Sequence, residues 1–291
     1  MKISRILHAG YVFESDQTII AFDPLFENPF SRNCYAFPNV EFDYKQIKNL
    51  KFDAVFISHY HDDHCSFESL NLIDRATPIY IYCLYDEMIL LIKKLGFTNV
   101  HQIEINITLQ IGPFEITPRT ALDADVDSIF HIKAKNYHVL NVVDSWIDLS
   151  TLDLLARQTP WDLILWPFQT MQELEVIAPS RLPRANTQLP PEWLEQLQIL
   201  KPKYIVPSSC QFIHENWSWY NQAFFPITYQ QFEQDILAIL PQTKVIRLNP
   251  SVSITLNERG VNFSESLSWI KPIGNQNVDY DFNKNRVPPR Q

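Results

Sequence analysis

The sequence predicts an α/β chain of the α+β kind, sheet-rich and folded as one large domain. Its 291 residues suffice to bury a sizeable core, and 46% hydrophobic with 20% charged residues is ordinary globular composition. Short apolar runs with strand periodicity alternate with a few helical patterns: many strands, one helix, many strands, then helices alternating with strands. Glycine occurs only 5 times and proline 20 times, so the loops between these runs are set by proline more than by tight glycine turns.

Residues 2–8, 10–15 and 18–23 alternate or run apolar, and "FDP" at 22–24 ends the third strand. "KFDAVFIS" (51–58) is a short apolar run of the kind a buried strand shows, and "PIYIY" (78–82) is another. "DEMILLIKKLG" (86–96) reads as a helix, with an acidic pair at its start, lysines at its end and Gly96 as the stop. Strands are expected at 99–105, 114–119, 128–134, 137–143 and 161–166. Then follow a proline-bracketed helix (190–202), a strand (203–207), a helix (228–240) and a strand (243–248). No repeat and no linker divides the chain. The domain is expected to span 1–270, with 271–291 as a polar, extended C-terminal tail. The longest irregular interior piece, "APSRLPRANTQLPP" (178–191), reads as a surface connection or a lid.

Several classes are disfavoured. A net charge of −9 argues against a general nucleic-acid or anionic-membrane binder. No stretch approaches the length of a membrane helix, and "MKISRILHAGYVF" lacks a signal-peptide core. Cys34, Cys65, Cys83 and Cys210 form no CxxC pair, which fits a reduced, cytoplasmic setting. No P-loop, GxGxxG, GxSxG or HExxH is present.

The chemistry concentrates in "FISHYHDDHCSF" (56–67), where His59, His61, Asp63 and His64 follow the buried run in the order HxHxDH. If the chain stays extended past residue 58, His59 and His61 project to one side. Imidazole and carboxylate are ligands for zinc, iron and manganese, and a strand end plus a turn can serve two adjacent ions. The plain alternative, a polar turn with solvated histidines, fits one histidine better than three in this order.

This motif after an apolar strand resembles the metallo-β-lactamase superfamily. "ILHAGYVFES…TIIAFDP" (6–24) resembles the opening of that fold, with His8 and Asp23 at positions given a structural part. "YHVLNVVDSW" (137–146) resembles the strand delivering a metal-bridging aspartate, here Asp144, and "YIVPSSCQF" (204–212) the late strand that ends in histidine. The resemblance implies a four-layer αβ/βα sandwich with metals at the sheet edges.

The chain departs from that pattern. The second-motif histidine is replaced by "TALDADVDSIF" (120–130), which offers Asp125 first, then Asp123, with Asp127 also in the stretch. Ser209 stands where the late histidine belongs; Cys210 as a thiolate or His214 from the next loop are the alternatives to an absent ligand. The glycines expected after the motif and before the bridging aspartate are replaced by Cys65-Ser66 and Val143, with Ser66 able to cap a following helix. The acidic second motif is also similar to the metallo-β-lactamase-like part of CMP-sialic acid hydroxylase, an iron oxygenase, although this chain has no Rieske cysteine–histidine pairs.

The resemblance implies a metal-dependent hydrolase acting on an ester, amide or phosphoester-type bond of a small molecule, with one or two divalent ions, zinc first and iron or manganese as alternatives. His59, His61 and Asp125 would hold one ion, Asp63 and His64 the other, Asp144 bridging, and Asp63 would also accept a proton. A non-haem iron oxidoreductase and a degenerate, non-catalytic binding protein are the competing readings. The aromatic stretch 214–226 reads as a pocket wall or as packing, Arg181 and Arg184 as an anion clamp or solvated charges. His101, His131 and His138 read as ordinary strand residues.

Overall fold

The computed structural model describes residues 1–172, 187–210, 212–214 and 224–278. Two large sheets organise it. The first is eight-stranded, in the order β18-β17-β1-β2-β3-β6-β7-β8. Its strands are β1 (Lys2–Arg5), β2 (Tyr11–Ser15), β3 (Thr18–Phe22), β6 (Ala54–Ile57), β7 (Ile79–Ile81), β8 (Val100–Gln102), β17 (Ser253–Asn257) and β18 (Gly260–Ser264). The second is seven-stranded, in the order β16-β14-β13-β12-β11-β10-β9. It comprises β9 (Leu109–Ile111), β10 (Phe114–Thr120), β11 (Ser128–Ala134), β12 (Tyr137–Asn141), β13 (Leu163–Trp166), β14 (Tyr204–Pro207) and β16 (Lys244–Val245). Each sheet begins as an antiparallel meander, β1-β2-β3 or β10-β11-β12, and continues as parallel strands, β6-β7-β8 or β13-β14-β16.

The layering follows from alternation along the strands. In β6, Phe56 faces the core between the sheets, whereas Val55 and Ile57 face an outer core. In β13, Leu163 and Leu165 point inward while Ile164 and Trp166 point outward. Helix α3 (Asp86–Lys94) covers the first sheet through Ile92; α4 (Leu149–Ala156) and α5 (Pro191–Leu200) cover the second through Leu152, Leu155, Trp193 and Leu197. The result is the expected four-layer sandwich, with aromatic pairs such as Phe22–Phe56 and Phe22–Phe130 stitching the central layer.

The expected strands and helices are present, most with shorter bounds, β11 with the expected ones and β10 one residue longer. Absent from the sequence reading were α4, capped by Asp148, and the β17–β18 hairpin that completes the first sheet beside β1. Two small pairs also form: β15 (Phe212–Ile213) with β4 (Tyr35–Ala36), and β19 (Ile270–Pro272) with β5 (Val40–Phe42). Strand β19 crosses the boundary expected at 270, and the Gln276 carbonyl still accepts from Arg247 and Asn249, so residues 271–278 pack on the domain. The rest of the expected tail lies outside the described residues. So do residues 178–186 of the long loop, with Arg181 and Arg184, and residues 215–223 of the aromatic stretch.

Candidate metal centre

Strand β6 is buried along its whole length and carries the chain to the rim of the sandwich. There the backbone turns: the His64 and Cys65 amides both donate to the His61 carbonyl, at 3.0 and 2.7 Å. Ser66 then caps the short helix α2 (Phe67–Leu70), its Oγ accepting from the Ser69 amide at 3.0 Å. The extended step followed by a helical turn brings three imidazoles together. The His59 ring centroid lies 4.5 Å from that of His61 and 4.0 Å from that of His64.

Asp23, fully buried just beyond β3, orients two of those rings. Its carboxylate accepts from the Ser58 amide and the Ser58 hydroxyl, both at 2.7 Å, and from His64 Nδ1 at 3.0 Å. The Ser58 hydroxyl donates its one O–H to Asp23, so toward His59 Nδ1, at 3.0 Å, it can only accept. Both rings therefore carry a proton on Nδ1, and His64 turns Nε2 toward Asp144 and Asp63, the arrangement a ligating histidine needs. Burial and the neighbouring His64 hold His59 well below the usual histidine range. Burial also opposes protonation of His64, but the Asp144 and Asp63 carboxylates outweigh it and raise that ring well above the usual range.

The second sheet supplies carboxylates to the same rim. Asp144 follows β12, after a turn in which the Asn141 Oδ1 accepts the Val143 amide at 3.1 Å. Val143 sits at φ +62°, a conformation costly for a β-branched side chain. Asp144 Oδ2 lies 3.1 Å from His64 Nε2. Although burial disfavours its charge, His64 holds its carboxyl well below the usual carboxylate range.

The acidic second motif is placed differently from expectation. Asp125 and Asp123 are exposed, and the carboxylate facing His59 belongs to Asp127, 3.7 Å from His59 Nδ1. The reason is local: the Val126 and Asp127 amides fold back on the Asp123 carbonyl, which turns Asp127 inward, and Ser145 Oγ donates to it at 2.7 Å. Asp127 stands immediately before β11, anchored to the sheet rim, and that position was the signal available in the sequence.

At the late strand the expected histidine is replaced by Ser209. Ser209 is fully buried after β14. Burial, with Asp144 and Asp63 nearby, pushes the Cys210 thiol up, while its backbone amide faces His8 Nδ1 at 3.3 Å. The His214 ring packs against Phe212 and Phe224. The imidazole that joins the cluster is His8, given only a structural part by the sequence. It sits on the loop after β1 at φ +52°, with Nε2 3.4 Å from Asp63 Oδ2, 3.8 Å from Asp144 Oδ2 and 3.2 Å from His64 Nε2. Buried Arg5 secures that loop: its guanidinium donates to the carbonyls of His8 (2.8 Å), Pro207 (3.0 Å), Leu248 (3.1 Å) and Ser208.

Among the described residues, one group brings ligand atoms together tightly enough for a cation: His8, Asp63, His64 and Asp144, all within 4.8 Å of one another. Imidazole nitrogen mixed with carboxylate oxygen suits zinc, iron or manganese, so the donor set fits a divalent metal. His59 and His61 lie beside it, with Asp127 on the Nδ1 side of His59. His131 and His138 bond each other at 2.9 Å on β11 and β12, and burial lowers His131 to about 4.

A model of the "Beta-lactamase superfamily domain" matches residues 2–209. A UPF0173 metal-dependent hydrolase of Pyrobaculum islandicum is 26% identical over 213 residues, covering 71% of this chain and 83% of that protein. Two solved structures share the fold. A possible metal-dependent hydrolase from Veillonella parvula superposes with a TM-score of 0.62 at 16% identity, covering 88% of this chain and 99% of that one. CmlA, a diiron β-hydroxylase from Streptomyces venezuelae, superposes with a TM-score of 0.57 at 16% identity, covering 86% of this chain and 53% of that one. No helix among the described residues is long and apolar enough to cross a membrane.

Proposed function

The chain belongs to the beta-lactamase superfamily, and from that premise we propose that it is a metal-dependent hydrolase of a small molecule carrying an ester, amide or phosphoester-type bond. The observation that carries this reading is the convergence of His and Asp donors on one rim, with the tautomers of His59 and His64 set by a buried carboxylate. His59, His61 and Asp127 would hold one divalent ion, Asp63 and His64 a second, with Asp144 between them. Such ions polarise a carbonyl or phosphoryl oxygen and lower the pKa of water. Asp63 is half-buried, and it is the carboxylate proposed to accept the proton from the attacking water. A cleft of about 530 Å³ lies beside the motif, lined by Tyr60, Asp62, Glu27, Glu68, Met88 and Leu91, and none of the proposed metal donors lines it. The Pyrobaculum relative's description supports the same class.

One second reading is an iron oxidoreductase, because an Asp127 ligand would add an oxygen donor, and oxygen donors favour iron or manganese more than an all-histidine set does. Elemental analysis of protein purified without added metal separates the two. Zinc near stoichiometry with turnover on an ester and phosphodiester panel is the expected result; iron with a visible absorption band would support the second. His59→Ala and His61→Ala should lose metal, and Asp127→Asn should lower first-site occupancy while Asp125→Asn does not. Full metal content in both histidine variants would overturn the assignment.

A further inference from the structure

The four-donor group looks like a closed metal site, but the hydrogen bonds behind its two histidines run in opposite directions. His64 Nδ1 faces the Asp23 carboxylate at 3.0 Å. A carboxylate only accepts, so Nδ1 carries a proton, and Nε2, 3.1 Å from Asp144 Oδ2, is the nitrogen left to a cation that displaces its proton. His8 Nδ1 instead accepts the backbone N–H of Cys210, at 3.3 Å. A nitrogen that accepts a hydrogen bond carries no proton, so the proton of His8 is on Nε2. That nitrogen lies 3.2 Å from His64 Nε2, with the Asp63 and Asp144 carboxylate oxygens at 3.4 and 3.8 Å.

The ring cannot reverse this by flipping. Rotation would exchange both nitrogens for carbons and lose the Cys210 contact, and the ring is buried against Phe30 and Phe212, with centroids at 5.8 and 5.5 Å. The backbone on both sides is held as well. Arg5 binds the His8 carbonyl together with the carbonyls of Pro207 and Ser208, and Cys210 adopts φ +54° to present its amide.

We propose that His8 is a positioning residue that donates a hydrogen bond from Nε2 into the second metal site, and is not a ligand of it. This deepens the hydrolase reading and rests on it. The consequence is a change of class for the site. Four protein ligands make a closed, structural centre, whereas three leave a position open for chemistry. With His8 removed from the set, Asp63, His64 and Asp144 would form an open site, with the His8 Nε2 beside its ligands.

The test reads the tautomer and the metal separately. Long-range proton–nitrogen NMR of the full chain, metal-free and zinc-loaded, should show His8 with a protonated Nε2 and a bare Nδ1 in both states. A protonated Nδ1 on His8 in the metal-free protein, or loss of the Nε2 proton to zinc in the loaded one, would overturn the proposal. His8→Gln and His8→Leu should keep the wild-type zinc count, while His64→Ala loses one ion. Loss of one ion from folded His8→Gln would also overturn it. Turnover should fall on the order of a hundredfold in His8→Leu and less in His8→Gln, whose amide N–H still donates, with the change in kcat more than in KM. If the wild type binds no metal, the hydrolase reading fails, but the metal-free spectrum still decides where the His8 proton lies.

Discussion

The ends of β6 and β14 reach the same rim from opposite sheets, yet they serve it by different means. Beyond β6 the contribution is side chains: His59, His61, Asp63 and His64 within six positions, oriented by Asp23 and Ser58. Beyond β14 it is main chain: the Pro207 and Ser208 carbonyls clamp Arg5, and the Cys210 amide binds His8. A segment that works through side chains fixes residue type at each position. One that works through its backbone fixes only path and conformation, so serines can stand where a ligand would otherwise be required.

The largest effect expected from this contrast lies on the side-chain end. Asp23→Asn leaves three buried donors, the Ser58 amide, the Ser58 hydroxyl and His64 Nδ1, with a single oxygen and an opposing NH₂ group. Breaking a buried charged pair in this way costs about 3–5 kcal/mol. The freed His59 and His64 rings should also weaken metal affinity by about 10–100-fold. Thermal unfolding and zinc titration of the variant would check both, and wild-type zinc affinity would show that the rings are oriented by something other than Asp23.

Next in size is Arg5→Met, which probes the main-chain end from its partner. Arg5 is fully buried and reaches four carbonyls from three segments. The apolar replacement removes a buried charge but strands those oxygens, for a net loss of about 2–4 kcal/mol by denaturant unfolding. It should also release the His8 loop, seen as a shift of the His8 ring nitrogens in NMR, while zinc binding by His59 and His61 persists. A destabilised protein with unchanged His8 resonances would mean that Cys210 alone holds the ring.

This contrast also explains what could be read from the chain. The HxHxDH segment was legible because its donors are local and its strand is uniformly apolar. Strand β11 and helix α3 were legible from alternation and from charge at the helix ends. Spacing from Asp144 does not separate Asp125 from Asp127, because which carboxylate faces inward depends on how the 123–127 turn closes. The part played by His8 was hidden for a stronger reason. Its partner is a backbone amide 202 positions away, and an amide has no residue type to recognise. Helix α4 is short and the β17–β18 hairpin has a polar outer strand, so their patterns are weak until β1 and the second sheet supply partners.

The smallest effect expected is the sharpest discriminator between the two strand ends. Ser209 occupies the position where a ligand was anticipated, and it is fully buried. If the segment after β14 acts through its backbone, Ser209→Ala should change stability by less than about 1 kcal/mol, because removing a neutral hydroxyl leaves no charged partner stranded. Zinc stoichiometry should match the wild type, and the Cys210 amide should stay bonded to His8 Nδ1, visible as slow amide exchange at residue 210. The same truncation at His64 removes an ion. Were Ser209→Ala to lose metal as His64→Ala does, both strand ends would be supplying side-chain ligands, and the division between them would fail.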